Sequence, residues 1–222
     1  MSLQITTISL PLPLNISKVN SYLIKTDSEF FLIDTGMTNA RRQLDAELEK
    51  RGCHPGDLKL ILLTHGDFDH TGNAVYLRQR FGAQIAMHNG DKGMLENGDM
   101  FWNRKFDNRL LRGLMKTFMP FKVENQGKPD IFLEDGASLS ADGLDATIYN
   151  TPGHSKGSIC ILTATGDLFV GDLLTNSTGK PILNSMMYDK EAGAASLVRL
   201  KTLPIQTVYP GHGQPFPWEA LF

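Results

Sequence analysis

His65, Asp67, Asp69 and His70 fall within six positions of a 222-residue chain, in the stretch ILLTHGDFDHTGNA that runs from Ile61 to Ala74. Imidazoles and carboxylates at this density are the donors taken by zinc, manganese or iron. Gly66 and Gly72 interrupt the run where the backbone must bend tightly to aim several side chains at one point. The blander use of such a loop is to cap the next helix, which Asp69 or Thr71 could do. Three later stretches weigh against it. TPGHSKGSI carries His154 on a Pro-Gly turn, LFVGDLL carries Asp172, and VYPGHG carries His212 between two glycines. Each of these donors sits where a short apolar run meets a Gly-containing turn, the place where a rigid scaffold displays site residues on loops.

In their order, these segments resemble the metallo-β-lactamase superfamily, whose pattern is His-x-His-x-Asp-His, then a His after a Pro-Gly turn, then an Asp, then a Gly-His. The resemblance reaches from NSYLI (Asn20 to Ile24) and LIDTG (Leu32 to Gly36) to the final GHG. It implies an α+β fold, a four-layer αββα sandwich with two divalent metal ions at one edge of its interior sheets. Carried over by position, one metal takes His65, Asp67 and His154, the other takes Asp69, His70 and His212, and Asp172 bridges them. Such a pair, of zinc, manganese or iron, would hold a bridging hydroxide that attacks a carbonyl or phosphoryl centre. Asp69 is then the candidate catalytic acid–base, orienting the nucleophile or relaying a proton. In the family, an Asp at the position of Asp34 supports the metal loop from behind the ligands.

There is one departure. Asp67 stands where the family has its second His, giving His-x-Asp-x-Asp-His. The substitution adds one negative charge and one hard oxygen donor, which favours manganese or iron relative to zinc and lowers Lewis acidity. On that reading Asp67→His raises zinc occupancy, and equal zinc content in both proteins would refute it.

The leading expectation is a binuclear-metal-dependent hydrolase of a small ester, lactone, thioester or phosphodiester. One alternative is a di-iron redox protein acting on oxygen or nitric oxide, because flavodiiron proteins carry a carboxylate at the Asp67 position; no flavodoxin-like domain accompanies it in 222 residues. Another is a non-catalytic binding protein on the same fold, which seven filled ligand positions argue against. Exported β-lactamases are disfavoured by the lack of a signal segment. Glyoxalase II is disfavoured by the short stretch after His212, and lactonases keep the second His.

Composition narrows the partners. A net charge of −2 argues against a nucleic-acid binder. No apolar run approaches the roughly 18 residues of a membrane span. The start Met1-Ser2-Leu3-Gln4 has no basic n-region, so a cytoplasmic protein acting on a small-molecule substrate is expected. Cys160, inside an apolar run, reads as a buried thiol, whereas Cys53 carries no such signal and is read as accessible. His54 and His88 lie outside the motif segments and are taken as ordinary surface histidines.

The elements that must position the donors follow from periodicity and breakers. Strands are expected over Ile5 to Leu14 (an edge strand, because of Pro11 and Pro13), Asn20 to Lys25, Phe30 to Asp34, Leu60 to Leu63, Gln84 to Met87, Ile131 to Leu133 and Ala146 to Tyr149. Helices are expected from a Thr38 cap to about Arg51, from Asn73 to Phe81, and from an Asp189 cap to about Leu203. Thr175 to Tyr188 reads as a long loop near Asp172. The chain is expected to be one domain, 1–222, with a Met-, aromatic- and base-rich helical insertion at about 89–128. There Phe106, Leu110, Leu114 and Phe118 recur at helical spacing, and six Lys or Arg face the single acid Asp107 between Phe101 and Lys122. Three uses stay open for it: a covering helix, a lid forming the substrate wall, or a membrane-surface or homodimer contact.

Overall fold

The computed structural model describes residues 3–104 and 121–222. The helix expected from Phe106, Leu110, Leu114 and Phe118 lies outside the described residues.

Six strands form the first sheet: β1 (Gln4–Pro11), β2 (Lys18–Lys25), β3 (Phe30–Ile33), β4 (Leu58–Leu63), β5 (Gln84–Met87) and β6 (Ile131–Phe132), side by side in chain order. β1 to β3 pair antiparallel through short turns, and β3 to β6 pair parallel. Parallel neighbours need crossovers. These contain α1 (Arg41–Lys50), then α2 (Phe68–Thr71) with α3 (Ala74–Phe81), then α4 (Lys92–Asn97). β1 takes the edge, as its prolines require. The second sheet holds β7 (Ala146–Asn150), β8 (Ile159–Thr163), β9 (Asp167–Gly171), β12 (Thr207–Pro210) and β13 (Phe216–Pro217), in the order β13-β12-β9-β8-β7.

The period-two alternation of strand side chains divides the core into three slabs. From β4, Ile61 and Leu63 point to Leu44, Leu48, Leu77 and Phe81 of α1 and α3. Leu60 and Leu62 point the other way, to meet Ile148, Ile161 and Phe169 between the sheets. From β8, Cys160 and Leu162 pack outward with Leu200 of α5 (Lys190–Leu200). Helix, sheet, sheet and helix therefore stack as an αββα sandwich. β4 is buried on both faces, which is why its sequence LKLILL shows no polar alternation at its end. Each large apolar side chain so buried contributes about 1.5–3 kcal/mol.

Three local expectations are corrected. Thr38 opens a short 3-10 turn, Thr38–Ala40, and makes no side-chain cap bond. The entry to α1 is instead fixed by Asn73, whose Nδ2 donates to the carbonyls of Thr35 (2.8 Å) and Met37 (2.9 Å) and whose Oδ1 accepts from Arg41 Nε (3.0 Å). Cys53 is buried in the helix-side core, because Gly52, at φ +76°, turns the chain back beneath Leu48. Burial pushes its thiol up to about 12. The stretch 175–188 is not all loop: β10 (Leu174–Thr175) and β11 (Ile182–Leu183) pair as a small ribbon. The Asp189 cap does form, its carboxylate accepting from Ala192 N at 2.9 Å. Among the described residues no helix is long and apolar enough to cross a membrane.

Candidate metal centre

All seven donors meet at one edge of the two sheets. The turn after β4 delivers His65 and Asp67, and the single turn α2 presents Asp69 and His70 on adjacent positions. His154 comes from the turn between β7 and β8, Asp172 from the end of β9, and His212 from the turn after β12.

Each of the four imidazoles is tied at Nδ1 to an acceptor outside the cluster. His154 Nδ1 donates to Met186 O at 2.7 Å and His212 Nδ1 to Lys18 O at 2.7 Å. His70 Nδ1 donates to Asp34 Oδ2 at 2.8 Å. The Thr64 hydroxyl donates to Asp34 Oδ2 (2.7 Å) and so accepts from His65 Nδ1 (3.0 Å). Carbonyl and carboxylate oxygens only accept, so each Nδ1 carries a proton and every Nε2 faces inward. Among the described residues, His65 Nε2, His70 Nε2 and Asp172 Oδ1 are buried without a hydrogen-bond partner. Orphaned buried polar atoms are costly, and three converging on one space ask for a ligand.

Spacing fits metal coordination. His65, His154 and Asp172 offer donor atoms within 4.8 Å of one another, as do Asp69, His70 and His212. Asp172 Oδ1 lies 3.4 Å from His70 Nε2, while its Oδ2 lies 3.9 Å from His154 Nε2 and 3.5 Å from His212 Nε2, so it stands between the two groups. Metal bonds of about 2.0–2.1 Å place neighbouring tetrahedral donors roughly 3.4 Å apart. Asp67 Oδ2 is 2.9 Å from His154 Nε2 and 3.7 Å from His65 Nε2.

The electrostatics have one cause. Burial would raise the carboxyls of Asp67 and Asp172, yet neighbouring imidazoles, and Arg104 beside Asp67, hold both well below the usual carboxylate range. Asp69 is lowered too, burial being outweighed by the His70 charge and a His212 bond. Burial opposes charge on the histidines, but the surrounding carboxylates raise His70 and His154, and bring His212 up to about 10. Three carboxylates converge in a closed space and call for positive charge, which protons or divalent cations can supply.

Four supporting residues were not legible as site residues. Asp91 is fully buried. Its carboxylate accepts from Gly66 N (3.1 Å), Gly157 N (2.8 Å) and Ser155 Oγ (2.5 Å), stitching the His65–Asp67 turn to the His154 turn. Asn20 Nδ2 donates to Pro210 O and Gly213 O, and Tyr22 OH to Pro210 O, clamping the His212 turn onto β2. Arg104 places its guanidinium on Asp67, Nη1 to Oδ1 at 2.8 Å. Asp91 follows the end of β5, and that strand-end position was its one available signal; Arg104 had none, since charge runs are ordinarily solvated. His54 is exposed, and His88 accepts from Gly90 N at 3.0 Å; neither joins the cluster.

Two cavities open beside the centre. A cleft of about 750 Å³ runs over Asp67, His154, Asp172 and His212, with Arg104 and Tyr188 in its walls. A second, of about 420 Å³, is apolar, lined by Leu12, Leu14, Ile16, Met37, Phe68 and Phe121. Both reach Asp69.

Comparison with known proteins agrees with this geometry. The family model for the metallo-β-lactamase superfamily matches residues 15–212. The probable metallo-hydrolase YqjP of Bacillus subtilis is 29% identical, over 95% of this chain and 72% of its own. The acyl-coenzyme A thioesterase MBLAC2 of Bos taurus is 26% identical, over 93% and 77%. Among solved structures, TTHA1623 in a di-iron-bound form superposes with a TM-score of 0.71 at 27% identity, covering 95% of each chain.

Proposed function

We propose, for a chain that belongs to the metallo-β-lactamase superfamily, a metal-dependent hydrolase that holds two divalent cations and cleaves an ester or thioester with an apolar acyl portion. The observation that carries this reading is the inward set of four Nε2 atoms, each fixed by an outward Nδ1 bond, around the orphaned oxygen of Asp172. His65, Asp67 and His154 would hold one cation, and Asp69, His70 and His212 the other, with Asp172 between. Bound there, divalent cations supply Lewis acidity and a water acidic enough to serve as nucleophile near neutral pH.

The chain's own residues set the rest. Asp69 is the most open of the three carboxylates, with a side chain 24% exposed against 9% for Asp67 and 5% for Asp172. It stands at the meeting point of both cavities, where its carboxylate can accept a proton on the substrate side. The apolar cavity suits an acyl chain, and the polar cleft suits the leaving group. That division, together with relatives named as a metallo-hydrolase and a thioesterase, favours hydrolysis over oxygen chemistry. The di-iron neighbour keeps iron beside zinc and manganese among the metals to load.

A series of p-nitrophenyl esters and acyl thioesters from two to ten carbons tests the substrate class. Each added methylene is expected to raise kcat/KM until the cavity fills, by up to about fourfold for ~0.8 kcal/mol of burial. Flat dependence on chain length would remove the acyl assignment. No turnover with any ester, whatever the metal, would remove the hydrolase reading.

A further inference from the structure

The seven donors number four histidines and three aspartates, where the family pattern has five and two. An unpaired Asp67 would therefore make the centre one charge more negative. The structure shows it is paired. Arg104 Nη1 lies 2.8 Å from Asp67 Oδ1 and Nη2 lies 3.1 Å from Oδ2, while Oδ2 alone turns toward His154 and His65. The guanidinium occupies the outer edge of the carboxylate and leaves one oxygen for the centre.

Two further observations fix this arrangement. The Arg104 side chain is only 12% exposed, and a guanidinium at that depth needs its counter-charge. Arg104 is also held from the preceding residue: Asn103 Nδ2 donates to Gly90 O and lies 3.3 Å from Asp91 Oδ1. Asp91 is the same carboxylate that braces the His65–Asp67 and His154 turns. Both members of the pair thus hang from one buried anchor.

We propose that Arg104 is a positioning residue that neutralises Asp67, so that the pair enters the centre as one neutral, single-oxygen donor in place of an imidazole. The inference rests on the ligand assignment above. It changes the expectation for Asp67→His. With Arg104 still present, that substitution leaves a buried cation unpaired beside the site of a dication, so zinc binding weakens rather than strengthens. Removing Arg104 as well restores it.

The test is a double-mutant cycle on the full chain: wild type, D67H, R104M and D67H/R104M, with zinc affinity and stoichiometry read by competition against a chromogenic chelator. Replacing Arg104 by Met is expected to tighten zinc at least about tenfold more in the D67H background than in the wild-type background, within the usual range of coupling between contacting residues. R104K should keep wild-type affinity, and D67H/R104K should stay weak, because charge and not shape is the variable. D67N runs the same cycle if the histidine variant does not fold. Additive effects, or D67H alone binding zinc more tightly than wild type, would overturn the inference while leaving the ligand assignment standing. Wild type taking up fewer than two equivalents would overturn the ligand assignment, and this inference with it.

Discussion

At the scale of single residues, the donors are only as good as the groups that aim them. Asp34 carries two of the four histidines: it accepts from His70 directly and reaches His65 through Thr64. Its backbone sits at φ +55°, a conformation that costs energy for a non-glycine residue and is held by these bonds. Asp91 does the same for the two turns that bear His65, Asp67 and His154. Outer partners of this kind typically account for about 10–100-fold in metal affinity. Asp34→Ala and Asp91→Asn are each expected to lose that much by chelator competition, with the circular dichroism of the folded chain retained; the Asn variant fails because its amide N–H must face another donor. Unchanged affinity in either variant would show that the bonds do not orient the ligands. The donors themselves were legible because they are chemically unusual and sit beside glycines. Asp91 and Arg104 were not, because their roles exist only once residues 66, 67, 103 and 157 are brought together.

At the scale of elements, strand ends and glycine turns do the positioning. β4, β9 and β12 each stop where a donor begins, and their sequences announced it by passing from apolar residues to glycine or polar ones within a few positions. Gly211 is needed for a close approach: a Cβ there would collide with Asp172 Oδ1 and lie 2.7 Å from His70 Cε1. Gly211→Ala is therefore expected to displace Asp172 and lower metal content by about one equivalent by mass spectrometry; full content would mean the turn can yield. Elements whose form depends on tertiary partners were read less well. Thr38 looked like a helix cap, but the turn into α1 is held instead by Asn73, far along the chain, donating to Met37 O, and the β10–β11 ribbon has strands of only two residues, too short for any periodicity.

At the scale of the whole molecule, two sheets back to back with helices outside leave one edge where loops from both sheets meet. The αββα layering was legible only through the family resemblance; the alternation of β4 and β8 side chains between slabs of core emerges in the structure. Charge balance at that edge is a property of the assembled centre. The surrounding carboxylates raise His70 and His154 above the ordinary histidine value and bring His212 to about 10, so near pH 7 His212 holds a proton that a metal must displace. Metal uptake should then release protons, and affinity should strengthen as pH rises and weaken as it falls. Titration calorimetry in buffers of different ionisation enthalpy measures the release directly; a net release of zero would contradict the charge picture.

The most direct test of the account is metal content by plasma mass spectrometry, on wild type and on His154→Ala and His212→Ala, after reconstitution with zinc, manganese or iron. Two equivalents are expected in wild type and about one in each variant, because His154 and His212 lie in different donor groups. One equivalent or fewer in wild type with every metal, or two in both variants, would contradict it.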